Sequence, residues 1–373
     1  MTYIDKLKKL DLVVLAVMTC LVAIGTFVIF EATRGTRLDG LHSSNMMLFG
    51  LFCVPMLLGA LFDYRLLTGK LSYVLYAIGI VMLVWVKWKG ENINGAVRWL
   101  TIGNFQIQPS ELVKISTILL AAHLLNKRAG EKLRLVQDIV PILVIFIIPT
   151  ILIMKQPDLG TALVFVGVLL GMLWKGNIRA TYLLLGLGAA ALCIGAVIWL
   201  YYSDYELLSS LVKSHQISRL QTFLDPASDP DKSWHVKNAM RAIGVGGLSG
   251  STGFFTQNGY IPYVYSDSIF VVIGEEHGFI GAALLLLLYF LLIYQMIRIV
   301  GDGKELTGSY VVIGIACMFV FQIFVNVGMH VGLVPLTGIS LPFISYGGSS
   351  LLLNMLAIGL VLSVKIHQNE PVY

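Results

Sequence analysis

The sequence predicts an all-α, polytopic integral membrane protein of about ten transmembrane helices, with one long extracellular loop between the seventh and eighth. Three observations carry this. Of 373 residues, 57% are hydrophobic and 13% charged, whereas soluble proteins carry roughly 25% charged residues; the mean hydropathy is +0.82. Ten apolar runs approach the roughly 20 residues that cross a bilayer. Lys and Arg gather in the short segments between those runs, as membrane topology requires. The net charge of +5 therefore reflects topology, and no nucleic-acid partner is expected; membrane lipids are the expected surroundings.

In chain order the runs are 12–31, 46–63, 71–87, 109–125, 138–154, 159–174, 181–202, 267–298, 309–331 and 345–366. No polar domain or low-complexity linker separates them, so residues 1–373 form a single transmembrane domain. The first run is long enough to span and no small-residue cleavage site follows it, so a cleavable signal peptide is not expected. Cys20, Cys53, Cys193 and Cys317 all fall within runs and read as small buried hydrophobes, not a disulfide or metal framework. With the amino terminus inside, the inner segments hold fourteen Lys and Arg and the short outer segments six. Both termini are then cytoplasmic and the connection 203–266 is outside. The basic residues of that connection are set aside, because long translocated loops follow the charge rule poorly. A connection this long is functional or disordered.

This topology starts the even-numbered helices at the outer face, where free backbone N–H groups favour anions. Four of these starts are polar: Gln108-Pro109-Ser110-Glu111, Gln156-Pro157-Asp158, Ser266-Asp267, and Ser345-Tyr346-Gly347-Gly348-Ser349-Ser350. They can converge on one outward-facing site. Glu111 and Lys114 share a helix face one turn into the membrane, and Lys114 is the one Lys or Arg placed in the body of a run and not at its end. The pair is either a structural ion pair or a substrate-binding one; intramembrane charges lean towards function. Asp158 suits a helix N-cap and could also hold a cation. Arg98, beside Trp99, is either an interfacial anchor or a phosphate-gripping guanidinium. Asp267 is either an N-cap or a group that does chemistry, since a desolvated carboxylate is costly unless used or paired.

The glycine run Gly244–Gly253 matches no nucleotide fingerprint and implies only close backbone approach or a bend. Of Glu275, Glu276 and His277, at least one should be paired inside the bundle. His330 reads as a satisfied packing residue.

Asn94–Leu100, Gln108–Lys114, Gln156–Ala162, Ala242–Leu248 and the stretch from Pro335 to Ser350, in that order, resemble the SEDS family of shape, elongation, division and sporulation proteins (the RodA, FtsW and SpoVE kind, RodA nearest). The resemblance covers nearly the whole chain. It implies a peptidoglycan glycosyltransferase polymerising the undecaprenyl-linked disaccharide lipid II at the outer face of the cytoplasmic membrane, beside a class B penicillin-binding protein that crosslinks the strands. It implies that Asp267 is the essential catalytic aspartate, and that Glu111, Lys114 and Asp158 match the family's conserved motifs. Substrate binding is expected of these three with Arg98, Ser345, Tyr346, Gly347 and Gly348. One departure stands out. The family commonly carries a Glu and a His just before the catalytic Asp; here Pro262-Tyr263-Val264-Tyr265-Ser266 precede Asp267.

The expected chemistry is inverting. Asp267 takes the proton of the acceptor hydroxyl as it attacks the donor's anomeric carbon, and undecaprenyl pyrophosphate departs. A divalent cation, Mg or Mn, is the expected cofactor. Two competing classes are a lipid II flippase and a non-catalytic scaffold for the penicillin-binding protein.

Overall fold

The computed structural model describes residues 3–93, 96–103, 105–212, 214–225, 229–302 and 305–368; part of the motif at 94–100 lies outside them. Each apolar run holds a helix: α1 (Leu12–Thr33), α2 (Leu41–Leu61), α3 (Leu71–Lys89), α4 (Pro109–Asn126), α5 (Val140–Lys155), α6 (Leu159–Lys175) and α7 (Ala180–Ser203). In the long connection lie α8 (Tyr205–Leu211), α9 (Ser214–Leu224), α10 (Pro230–Gly246) and α11 (Phe254–Gln257); then come α12 (Ile269–Glu276), α13 (Gly278–Asp302), α14 (Leu306–His330) and α15 (Gly348–His367). Among the described residues, eight helices are long and apolar enough to cross a membrane; α6 is a shorter apolar helix.

Two sequence expectations change. The run 267–298 is two helices, broken at His277. Gly278 sits at φ 62°, a left-handed conformation that favours glycine. The glycine run packs against the break. The Gly247 and Leu248 carbonyls accept the N–H groups of Phe279 and Ile280, at 2.9 and 3.1 Å, which caps α13. A Cβ on Gly250 would overlap the Glu276 carbonyl. The break falls where Glu275, Glu276, His277 and Gly278 interrupt the apolar run; the length of the run alone does not reveal it. The second change concerns the cysteines. All four are free, but Cys20 and Cys193 lie on the exposed surface of the helices, which in a bilayer is the apolar side.

The core is built on α14 and α15. These are the most buried of the eight long apolar helices, whereas α7 has no buried residue. Helix α15 packs on α2, and α14 on α6 and α4. A three-stranded antiparallel sheet, β1 (Glu91–Ile93), β2 (Ala96–Ile102) and β3 (Phe105–Ile107), links α3 to α4. Helix α10 docks on α12 through a small apolar cluster of Ala239, Ala242, Ile261 and Val271. The long connection thus folds back over the start of α12.

Candidate active site

Asp267 lies in consecutive turns ahead of α12, whose N-cap position belongs to Ser268 without a side-chain capping bond. The segment around it is stitched to the loop before α15. Ser345 Oγ donates to the Ser266 carbonyl at 2.6 Å and accepts from Leu341 N–H at 2.8 Å. Tyr346 N–H donates to the Tyr265 carbonyl at 2.9 Å. Asn326, on α14, donates Nδ2 to the carbonyls of Asp267 at 2.8 Å and Ile339 at 2.7 Å. These bonds fix the Asp267 backbone. Asp267 Oδ1 is out of reach of solvent and has no hydrogen-bond partner among the described residues. Its Oδ2 lies against Gly338, where a Cβ would sit 3.3 Å away.

The carboxylate opens on a cavity of ≈ 540 Å³. Arg219 and Thr222 of α9, His235 of α10, Tyr263, and His330 at the end of α14 help to line it. Burial pushes the Asp267 pKa up to about 6, against the pull of nearby backbone N–H groups and of the Arg219 and Arg98 charges. A carboxyl so placed is ionised at neutral pH yet basic enough to take a proton.

Arg219 was set aside in the sequence as part of the long connection. It is the cation that faces Asp267 across the cavity. Burial and the Arg98 charge push its pKa down, and Asp158 and Asp267 pull it back; its Nη1 reaches the Thr337 carbonyl at 3.4 Å. The signal was present in the amphipathic spacing of Ser218, Arg219 and Thr222, three residues that share the cavity by helical periodicity.

The remaining expected site residues form a second layer. Arg98, on β2, donates Nε to the Gln156 carbonyl at 2.8 Å and Nη2 to the Pro157 carbonyl, and its Nη1 lies 3.7 Å from Asp158 Oδ2. Asp158 caps α6 by accepting Thr161 N–H at 3.1 Å and also accepts Gln108 Nε2 at 3.2 Å. Gln108 N–H donates to Ser349 Oγ at 3.0 Å. The starts of α4, α6 and α15 therefore meet, and Arg219 couples electrostatically to this layer and to Asp267. Glu111 and Lys114 pair at 2.7 Å inside α4, both almost wholly buried. They are not among the cavity-lining residues. Nor are Ser345, Tyr346, Gly347 and Gly348; Ser345 and Tyr346 hold the Asp267 segment, and Gly347 and Gly348 begin α15.

The expected pairing of the acidic cluster is met. Glu275 is fully buried and its carboxylate accepts the N–H groups of Phe255 at 2.7 Å and Thr256 at 2.9 Å, which caps α11. His277 Nε2 lies 2.8 Å from Glu31 Oε2.

Comparison with known proteins agrees with this architecture. The family described as cell cycle proteins, FtsW, RodA and SpoVE, matches residues 11–370. The chain is 30% identical over 369 residues to the probable peptidoglycan glycosyltransferase FtsW of Trichlorobacter lovleyi, covering 96% of this chain and 94% of that one. It is 31% identical over 388 residues to the peptidoglycan glycosyltransferase MrdB of Escherichia coli K12, covering 98% and 96%. Among solved structures, it superposes with TM-score 0.82 and 30% identity on a chain of a peptidoglycan synthase complex that coordinates polymerization and crosslinking, covering 97% of this chain and 99% of that chain.

Proposed function

Because the chain belongs to the FtsW, RodA and SpoVE family of cell cycle proteins, we propose that it is a peptidoglycan glycosyltransferase of the cell membrane that polymerises lipid II, with Asp267 as general base. One observation supports the assignment of the base above the others: Asp267, a buried carboxylate with an unpartnered oxygen, lines a cavity that also holds an arginine. As the acceptor sugar's 4-hydroxyl oxygen forms its bond to the donor's anomeric carbon, its proton passes to Asp267. The bond from that carbon to the pyrophosphate oxygen breaks, the α-linked donor becomes a β-linked unit, and undecaprenyl pyrophosphate leaves with the electron pair. A positioned base contributes roughly 10²–10⁴-fold. Arg219 faces the cavity and stabilises the charge that develops on the leaving group. Arg98 and Asp158 set the wall behind Arg219, and Glu111–Lys114 fixes the interior of α4.

The donor set also fits a divalent cation. Among the described residues no three His, Cys, Asp or Glu cluster, but Mg or Mn is commonly held by one or two carboxylates together with substrate phosphates, and Asp267, which lines the cavity, would supply one. Bound there, the ion would neutralise pyrophosphate charge.

On this reading the cavity faces outside, both termini are cytoplasmic, and a class B penicillin-binding protein is the crosslinking partner. The test is polymerisation of labelled lipid II by protein in detergent, where a flippase has no two sides to work across. Glycan chains from the wild type and none from Asp267→Ala support the proposal. Equal output from both, or none from either with or without the co-purified partner, sinks it.

A further inference from the structure

A second residue that lines the cavity carries an unpartnered acceptor. His330 closes α14, is 1% exposed and lines the same space as Asp267. Its Nδ1 lies 2.8 Å from the Asn326 carbonyl, one turn earlier. A carbonyl can only accept, so Nδ1 carries the hydrogen, and in the neutral ring Nε2 is left as an acceptor. Nε2 is sealed from solvent and has no partner among the described residues. A polar atom so buried is normally satisfied by something. Asn326 also donates to the carbonyls of Asp267 and Ile339. One side chain and its backbone thus mount both unpaired acceptors, Asp267 Oδ1 and His330 Nε2, in fixed relation. The reaction proposed above uses the first and leaves the second idle.

We infer that His330 Nε2 is a substrate-binding group that accepts a hydrogen bond from a sugar donor, a hydroxyl or an acetamido N–H, of the lipid-linked disaccharide held beside Asp267. The inference rests on the glycosyltransferase reading. It assigns the two ends of the substrate to different walls. An ionised pyrophosphate has no hydrogen to donate and belongs with Arg219, whereas the carbohydrate is rich in donors and belongs with a neutral imidazole nitrogen. A pocket built around such an acceptor also selects against analogues that lack the donor, since the acceptor is then left unpaired.

Two substitutions separate this role from packing. In His330→Asn the side-chain amide takes the position of Nδ1 and can still donate to Asn326, but nothing reaches the Nε2 position. In His330→Gln an amide oxygen reaches the Nε2 position and the bond to Asn326 is lost. With lipid II as substrate, the expected result is a KM about tenfold higher for His330→Asn, with kcat within about twofold of wild type, and a near-normal KM for His330→Gln; the tenfold is the scale of one lost hydrogen bond. The reverse order, a normal Asn variant with a thermolabile Gln variant, assigns His330 to packing and overturns the inference. So does an unchanged KM in both, or a shifted cation requirement without a change in KM. His330→Phe, which keeps the ring volume and drops both nitrogens, replaces the Asn variant should that one not fold. On an Asp267→Asn background the same variants are read by binding of fluorescent lipid II. Failure of the polymerase reading shows as a wild type without turnover, and failure of this inference shows as binding that His330→Asn leaves unchanged.

Discussion

Replacing Asp267 by Asn keeps the shape of the side chain and removes the base. The structure sets two opposite expectations for this one change. Activity should fall by roughly 10²–10⁴-fold in kcat, the range of a positioned general base, equivalent to about 3–5 kcal/mol of barrier. Stability should not fall with it. Burial raises the carboxyl from 3.8 to about 6 in the folded protein, so the folded state binds its proton more tightly than the unfolded state does. The resulting stability is present below about pH 4, is lost as pH rises to about 6, and stays lost above that. At pH 7 the ionised carboxylate therefore costs the fold up to about 3 kcal/mol, which the neutral amide does not. Lipid II polymerisation gives the first quantity and thermal unfolding at pH 7 the second. An Asp267→Asn enzyme with more than a tenth of wild-type kcat refutes the assignment of the base. A variant that unfolds well below wild type refutes the argument that this carboxylate is strained for function.

Three more outcomes follow from the same geometry. Wild-type kcat/KM should rise tenfold per pH unit below about 6 and level off above, because Asp267, raised to about 6 by burial in the free protein, works as its conjugate base; a flat profile from pH 5 to 7 contradicts this. Arg219→Ala should lower kcat/KM for lipid II by about 10²-fold, the scale of one lost electrostatic stabiliser, with Arg219→Lys intermediate; equal activity in all three places the pyrophosphate elsewhere. Glu111→Gln leaves Lys114 buried without its partner and should destabilise by about 3–5 kcal/mol. The double variant Glu111→Gln, Lys114→Met should recover most of that in a thermal unfolding assay; failure to recover ties the two residues to more than each other.

The positions of the helices were legible in the chain. Each apolar run became a helix because both causes are local: a backbone in lipid must satisfy its own hydrogen bonds, and the length of an apolar run is visible residue by residue. The capping role of Asp158, the Glu111–Lys114 pair and the close approach of the glycine run were legible too, since each depends on neighbours within a few positions or on one glycine property. The break at His277 was not, because it is imposed by carbonyls some thirty residues upstream, and Glu275, Glu276 and His277 read equally well as polar residues paired within one long helix. Arg219 was hidden for a related reason: it reads as loop charge, and it shares a cavity with Asp267 and His330 because α9 and α14 reach that cavity from distant parts of the sequence. The sequence alone determined a membrane bundle with polar helix starts, one of them at Asp267. Tertiary structure decided which atoms are left unpaired around that aspartate. Transfer into lipid is a sum over single residues, but an open acceptor is defined by everything that packs around it and fails to bond.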